Sequence, residues 1–444
     1  MSDWLASAVL FEKASLARMI DRLAPCLAVI ATPVLCAALT LAASEHGAAG
    51  YGDLAAAHVV ATPTMPRPNY LQPVTDPAFK THFTRITDPG RQMHTGISCG
   101  PAYCTHRYSS SQAWNADQSL LVIANGCSGF CFLDGQSYEP LFQYRVPNEC
   151  EWHPIDPALM ICTSGNTIYT WAPRTDVKTP LFAPDDYGNF EFGPYKGNPS
   201  NDGNRLVVRA TNSAGALVAF VYDISARKKY RDIELSALPG RNGYCGISPS
   251  GRYVLCLQTA LDETEVAFVF SVDGVLLQHW SEHHRPAHGD MTIDANGSDV
   301  YVGISKAVPD KYHIIKRRLE DGQVTDLAPY GEGQHASVRN TRRPGWVFVT
   351  YTGDYSEIVA HPHWAPFYQE VIALRIDGSG EIRRIVQTRS AKFDYWSEVH
   401  ASPSPDASQV IWSSNWGEAG GPVADYVVRL SWPQTTLRKS SSHW

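Results

Sequence analysis

Three histidines of this chain stand six residues ahead of a turn: His288 ahead of Asp294 in HGDMTID, His335 ahead of Thr341 in HASVRNT, and His400 ahead of Asp406 in HASPSPD. Imidazoles delivered from equivalent places in successive units can converge on one cation. Glu398, Gln334 and Asp290 stand close enough in sequence to add a ligand or to support one. Imidazole suits Zn, Mn, Fe or Ni, whereas carboxylates and waters admit Ca, so a divalent cation is expected and Ca, Mn and Zn stay open. It can close a channel structurally or take part in chemistry.

Counting back the same six residues from Ser250 reaches Tyr244, and from Asp202 it reaches Lys196, next to Tyr195. A tyrosine beside an arginine or a cation can take and return a proton, because the positive charge stabilises the phenolate. Arg209 lies on the strand leaving the Tyr195 segment, and Arg339 lies at the turn that follows His335. The plainer role for each tyrosine is a channel-lining aromatic. A further polar cluster, His106, Arg107 and Tyr108 in CTHRYSSSQAWNADQ, precedes the first turn and is expected to face the same opening.

The elements that must position these residues are short strands. A turn followed by an apolar strand recurs seven times, at Asp117, Asp156, Asp202, Ser250, Asp294, Thr341 and Asp406. The spacing is about 40 to 50 residues, with one gap of about 65 before the last turn, which is the period of four-stranded blades packed around an axis. The expected fold is all-β, a seven-bladed β-propeller over residues 65–435. The segment 65–95 carries one strand, HFTRIT, which with the terminal ADYVVRLSW is expected to complete a blade from both ends of the chain. The longer gap holds an aromatic insertion containing Trp364, Phe367 and Tyr368, a place where a sugar ring could stack.

Residues 1–45 read as a secretory signal. Lys13, Arg18 and Arg22 precede the apolar run from Leu23 to Ala43, and small residues follow; an uncleaved anchor is the alternative. Residues 46–64 are expected to be a linker and 436–444 a tail. Beyond the leader, eight cysteines fall into four close pairs, the pattern of local hairpin-bridging disulfides in an oxidising compartment, with connectivity open. None has the tight spacing of a zinc ribbon. A secreted or periplasmic monomer without lasting membrane association is expected. The net charge of −7 and the lack of a concentrated basic face exclude nucleic acid as a natural partner.

A chain with THRYSSSQAWNADQSLL, in-register histidines, GQHASVRNTRRPGWVFVT and HASPSPDASQVIWSSNWG resembles the propeller polysaccharide lyases, which include oligogalacturonate, ulvan and rhamnose-glucuronate lyases. The resemblance spans most of residues 65–433 through short motifs. It implies β-elimination on a uronate-containing polysaccharide or oligosaccharide. By the ulvan-lyase pattern His106 would neutralise or share the proton, Tyr195 or Tyr244 would be base and acid, and Arg209 would pair with the carboxylate. Arg107, Tyr108, Arg339 and Trp364 are the expected substrate contacts. By the oligogalacturonate-lyase pattern His288, His335 and His400 would hold the metal, with Glu398 where that pattern has a histidine. A non-catalytic carbohydrate-binding or scaffold propeller is the alternative from another class. A hydrolase, which needs two opposed carboxylates, fits less well.

Overall fold

The computed structural model describes residues 58–145, 149–192, 198–259, 265–329, 333–351 and 366–432. The expected leader, most of the linker, Tyr195, Trp364 and the tail lie outside them. Among the described residues the regular structure is β-sheet, antiparallel except where Tyr103–Cys104 pairs parallel with Val423–Arg429, with two short 3-10 turns, and the sheets form a seven-bladed β-propeller. Numbered along the chain, blade 1 spans 120–144, blade 2 150–182, blade 3 187–234, blade 4 241–280, blade 5 286–328 and blade 6 335–387. Blade 7 joins 402–429 to strands from the start of the chain.

Within blades 2, 4, 5 and 6 the four strands pair in chain order from the first, innermost one outward, and in blade 3 the two short last strands, Lys228–Lys229 and Ile233–Glu234, both pair with Leu217–Asp223. Central strands read as unbroken apolar runs because both faces meet a neighbouring blade: Asp299–Ser305 and Trp346–Tyr351 are buried throughout. The outermost strand of blade 2, Val177–Phe182, is mostly exposed. Seven apolar clusters sit one at each blade junction, so the ring is continuous, including the junction between blades 7 and 1 where Ile411 and Val427 meet Trp114 and Leu121.

The recurring turn has a hydrogen-bond logic. Asp202 Oδ1 accepts from the Asn204 amide at 3.1 Å and Asp406 Oδ1 from the Ser408 amide at 2.8 Å. Two residues earlier, the Ser200 and Ser404 hydroxyls accept from the amides of Arg205 and Gln409 at 2.9 and 3.1 Å. Blade 4 keeps the serine half, Ser248 with Tyr253, and blade 1 substitutes Asn115, whose Oδ1 accepts from Leu120 at 2.9 Å. Short side chains thus satisfy the backbone donors that a tight reversal leaves open.

Blade 7 is assembled from both ends of the chain. Strand His82–Arg85 pairs antiparallel with Val423–Arg429, and Pro73–Thr75 adds outside it. Phe83 is buried in the junction with blade 6, edge-on to Trp412 at 5.5 Å. Residues just before the expected propeller start are also tied down: the His58 carbonyl accepts from Arg384 and that of Val60 from Gln387. The eight cysteines pair as Cys99–Cys104, Cys127–Cys131, Cys150–Cys162 and Cys245–Cys256, the last two linking register partners of first and second strands.

Phe83→Ala removes the largest apolar side chain of the closing strand. It is expected to lower unfolding free energy by about 3–5 kcal/mol in urea titration, whereas Leu141→Ala, on an exposed outer strand, is expected to stay within about 0.5 kcal/mol of the parent.

Candidate functional site

The inner strands of blades 5 and 6 and the approach to that of blade 7 deliver His288, His335 and His400 to one place. Imidazole centroids lie 4.5 Å apart for His335 and His400 and 5.1 Å apart for His288 and His335. His335 and His400 are almost wholly buried. Glu398 joins them, with Oε2 3.3 Å from His335 Nε2 and 3.6 Å from His400 Nε2. One donor atom from each of His335, Glu398 and His400 lies within 4.8 Å of the others. His335 Nδ1 and His400 Nε2 are buried without a hydrogen-bond partner, an arrangement that costs free energy unless something else is bound. Two imidazoles and a carboxylate fit a divalent transition-metal ion. His288, at positive φ, has its Nδ1 2.9 Å from the Gln334 carbonyl and stands beside this set.

The electrostatics leave the donors in metal-binding form. Burial, followed by the neighbouring His400, holds the His335 pKa well below the ordinary imidazole value. Burial likewise lowers that of His400, against the pull of Glu398. For Glu398 burial acts upward, but its interactions with His335 and His400 win and keep the carboxyl far below the usual range. The site therefore carries neutral imidazoles and an ionised carboxylate near neutral pH.

His106 lies behind His400 rather than in the opening. It is 1% exposed, its Nδ1 is 3.0 Å from Asp425 Oδ1, and its Nε2 meets the His400 carbonyl at 2.5 Å. A carbonyl only accepts, so Nε2 carries a hydrogen. Burial opposes protonation, but Asp425 and the His400 carbonyl outweigh it and raise the pKa. His106 thus ties Asp425 to the backbone that presents His400.

Three expected cationic contacts are engaged with the protein. Arg339 makes a bidentate pair with Asp290 at 2.6 and 2.8 Å and also donates to the Met291 carbonyl. Arg209 reaches Glu191 at 2.5 Å and the Gly243 carbonyl. Arg107 pairs with Glu151 at 2.5 Å and Glu149 at 3.2 Å, and burial raises the Glu151 carboxyl pKa. Tyr244 lines a cleft with Asp290, Met291, Tyr301 and Arg339, its hydroxyl 3.4 Å from that of Tyr301. Tyr108, by contrast, sits directly on the cluster, with ring centroids 5.2 Å from His335 and 4.8 Å from His400.

Below the histidines, cross-blade hydrogen bonds knit the channel. Gln112 of the segment before blade 1 donates to carbonyls of Arg339 and Pro403, and Asn198 donates to the Ser110 carbonyl. Asp425 and Tyr395 were not singled out by sequence. A charged residue inside the apolar run VADYVVR is the signal that could have marked Asp425, whereas nothing in the pattern placed Tyr395 5.2 Å from His400.

No family model matches the chain, and no curated protein matches it. Solved structures do. An oligogalacturonate lyase in complex with manganese aligns with a TM-score of 0.57 at 14% identity, covering 81% of this chain and 96% of that one. An oligogalacturonate lyase from Vibrio parahaemolyticus aligns with the same TM-score at 12% identity and the same coverage. At such identities the likeness is one of fold.

The depressed imidazole pKa values make a prediction for the metal-free protein. Between the folded and unfolded imidazole pKa values the unfolded chain binds protons that the native site refuses, so this contribution to stability is lost as pH falls from about 6.5. Replacing His335 by Gln is expected to flatten the fall in melting temperature between about pH 7 and about pH 5 relative to the parent. Parallel curves for the two proteins would contradict the assignment.

Proposed function

We propose that the protein is an exported polysaccharide lyase that cleaves a uronate-containing glycan by β-elimination at the mouth of its propeller, with a divalent cation at His335, Glu398 and His400. The observation that carries this reading is the buried cluster in which His335 Nε2 and His400 Nε2 both face an ionised Glu398, with His335 Nδ1 and His400 Nε2 free of hydrogen bonds and Tyr108 against both rings. The shared fold with oligogalacturonate lyases, one of them a manganese complex, supports it and makes manganese the first ion to test. The paired cysteines and the leader-like start support export to the periplasm or medium, where the chain would work as a monomer free of the membrane.

The reaction removes the proton on C5 of the uronate, places its electron pair in a C4=C5 double bond, and expels the C4 oxygen, which leaves with a proton. A bound cation would supply positive charge to the carboxylate on which the enolate charge develops. Glu398, His335 and His400 hold that charge in place, and His106 fixes His400 through its carbonyl. We assign Tyr108 as the group that takes the C5 proton, because it is a tyrosine in ring contact with both imidazoles; Tyr244 and Tyr195 are the comparators. Arg339, through Asp290, ties blade 6 to blade 5, and Arg209, paired with Glu191 inside blade 3, reaches blade 4 at the Gly243 carbonyl, so both hold structure in this scheme.

Those two paired arginines favour a second reading, a propeller that binds an acidic glycan without cleaving it. The two readings part on one experiment: incubation of the manganese-loaded protein with pectate, glucuronan, ulvan and gum fragments while the ultraviolet absorbance of unsaturated uronate is followed. The lyase reading expects a rise that chelator abolishes and that Tyr108→Phe lowers by about 100-fold or more. Flat traces on every glycan, with binding retained, would leave the binder. Separately, His106→Asn is expected to weaken manganese binding by about 10- to 100-fold in calorimetry, as loss of an outer support does, in a variant whose circular dichroism matches the parent.

A further inference from the structure

Beside the histidine cluster, the segment from Ala391 to Trp396 presents apolar surface that folding does not require. Phe393 is 64% exposed and Tyr395 38% exposed, and the Lys392 side chain between blade and rim is 56% exposed. Trp396 stacks flat on Tyr103, with centroids 4.0 Å apart and planes within 9°. Tyr395 lies 5.3 Å from Trp396 and 5.2 Å from His400, so the aromatics run from the rim to the cluster without a break.

This rim is held rigidly. Asn415 brackets Ala391, accepting its amide at 2.8 Å and donating to its carbonyl at 2.7 Å. The Ser397 hydroxyl accepts from the amides of both Phe393 and Asp394, the Asp394 carboxylate returns the favour to the Ser397 amide at 3.0 Å, and Ser390 donates to the Ser397 carbonyl. A floppy loop could fold its aromatics inward. This one is held with Phe393 exposed, its ring passing beside Gly420. Among the other exposed large hydrophobics, Val177 and Leu276 sit on outermost strands, and Ile155 and Val308 are aliphatic residues of loops.

Glu398 links this rim to the cluster. Its Oε2 faces His335 at 3.3 Å, and its Oε1 faces Lys392 Nζ at 3.7 Å. One carboxylate thus sits between the inner donors and an exposed ammonium.

We propose that Phe393, Trp396 and Lys392 form a second sugar subsite, which stacks the ring next to the reacting one and takes its carboxylate on Lys392, so that the site reads a chain of consecutive acidic sugars rather than a single one. The proposal rests on the lyase reading for the neighbouring subsite, but not on turnover. Pyranose rings offer an apolar C–H face to an aromatic plane, and a preordered platform binds without the entropy cost of ordering a loop. The ammonium supplies the sign that a uronate needs.

The test measures binding of size-defined tetramers of galacturonate, glucuronate and ulvan, and of their methyl esters, to the manganese-loaded Tyr108→Phe protein by intrinsic tryptophan fluorescence. The expected result is binding of at least one acidic tetramer, weakened about fivefold by Phe393→Ala and restored by Phe393→Tyr. Lys392→Ala is expected to weaken the acid by about threefold and leave its methyl ester unchanged. Leu277→Ala, on the outer strand of blade 4, is expected to bind as the parent does. Equal affinity of Phe393→Ala and the parent for every tetramer, or no binding of any tetramer, overturns the subsite. Binding that follows these variants, without unsaturated product from the protein carrying Tyr108, overturns elimination and leaves the subsite standing. Product formation with a KM indifferent to Phe393→Ala does the reverse.

Discussion

The site depends on the turn that reverses each inner strand. In blades 3 and 7 a serine and an aspartate satisfy backbone amides at fixed offsets, as Ser404 and Asp406 do for Gln409 and Ser408. Once the turn is pinned, the number of residues back from it sets how far along the axis a side chain sits. His288, His335 and His400 share that number, and blade packing carries their common depth into a common centre. For His335, inside its strand, a one-residue slip would turn the imidazole away, because successive side chains of a strand face opposite ways; His288, at a bulge with positive φ, and His400, just ahead of its strand, are aimed by local backbone turns as well.

That dependence explains which parts were legible in the sequence. Repeat period, blade number and the convergence of the three histidines follow from local patterns, namely turn residues, apolar runs and an offset counted along one strand. The pairing of HFTRIT with ADYVVRLSW was also readable, since two unpartnered strands at opposite ends of a repeat array have each other as the remaining mate. What lay beyond reach was the pairing of charges across blades. Nothing in the spacing of Asp290 and Arg339, or of His106 and Asp425, announces that they meet. His106, expected to face the opening together with its polar neighbours, is buried with both ring nitrogens engaged.

The channel's charges show a division of labour. Arg107 with Glu149 and Glu151, Arg339 with Asp290, and Arg209 with Glu191 are paired internally, which is the condition for keeping such groups at low exposure. In the histidine cluster, by contrast, two imidazoles on neighbouring blades share one carboxylate, with a ring nitrogen of each left without a hydrogen bond. What sets the cluster apart is the convergence of metal-binding donor types, since buried polar atoms without a partner also occur elsewhere, on Arg209 and Arg389 among others.

Blade 7 holds His400 and is also the blade built from both ends of the chain. Its inner strands are the last described ones to be synthesised, and their partner, His82–Arg85, is among the first, so the pairing spans more than three hundred residues and must wait for the whole ring. A chain that stops short of Arg429 lacks the strand that carries Asp425 and the mate for its own beginning. Incomplete copies would then be silent rather than weakly competent, and whatever the centre of this propeller does, it is switched on by finishing the circle.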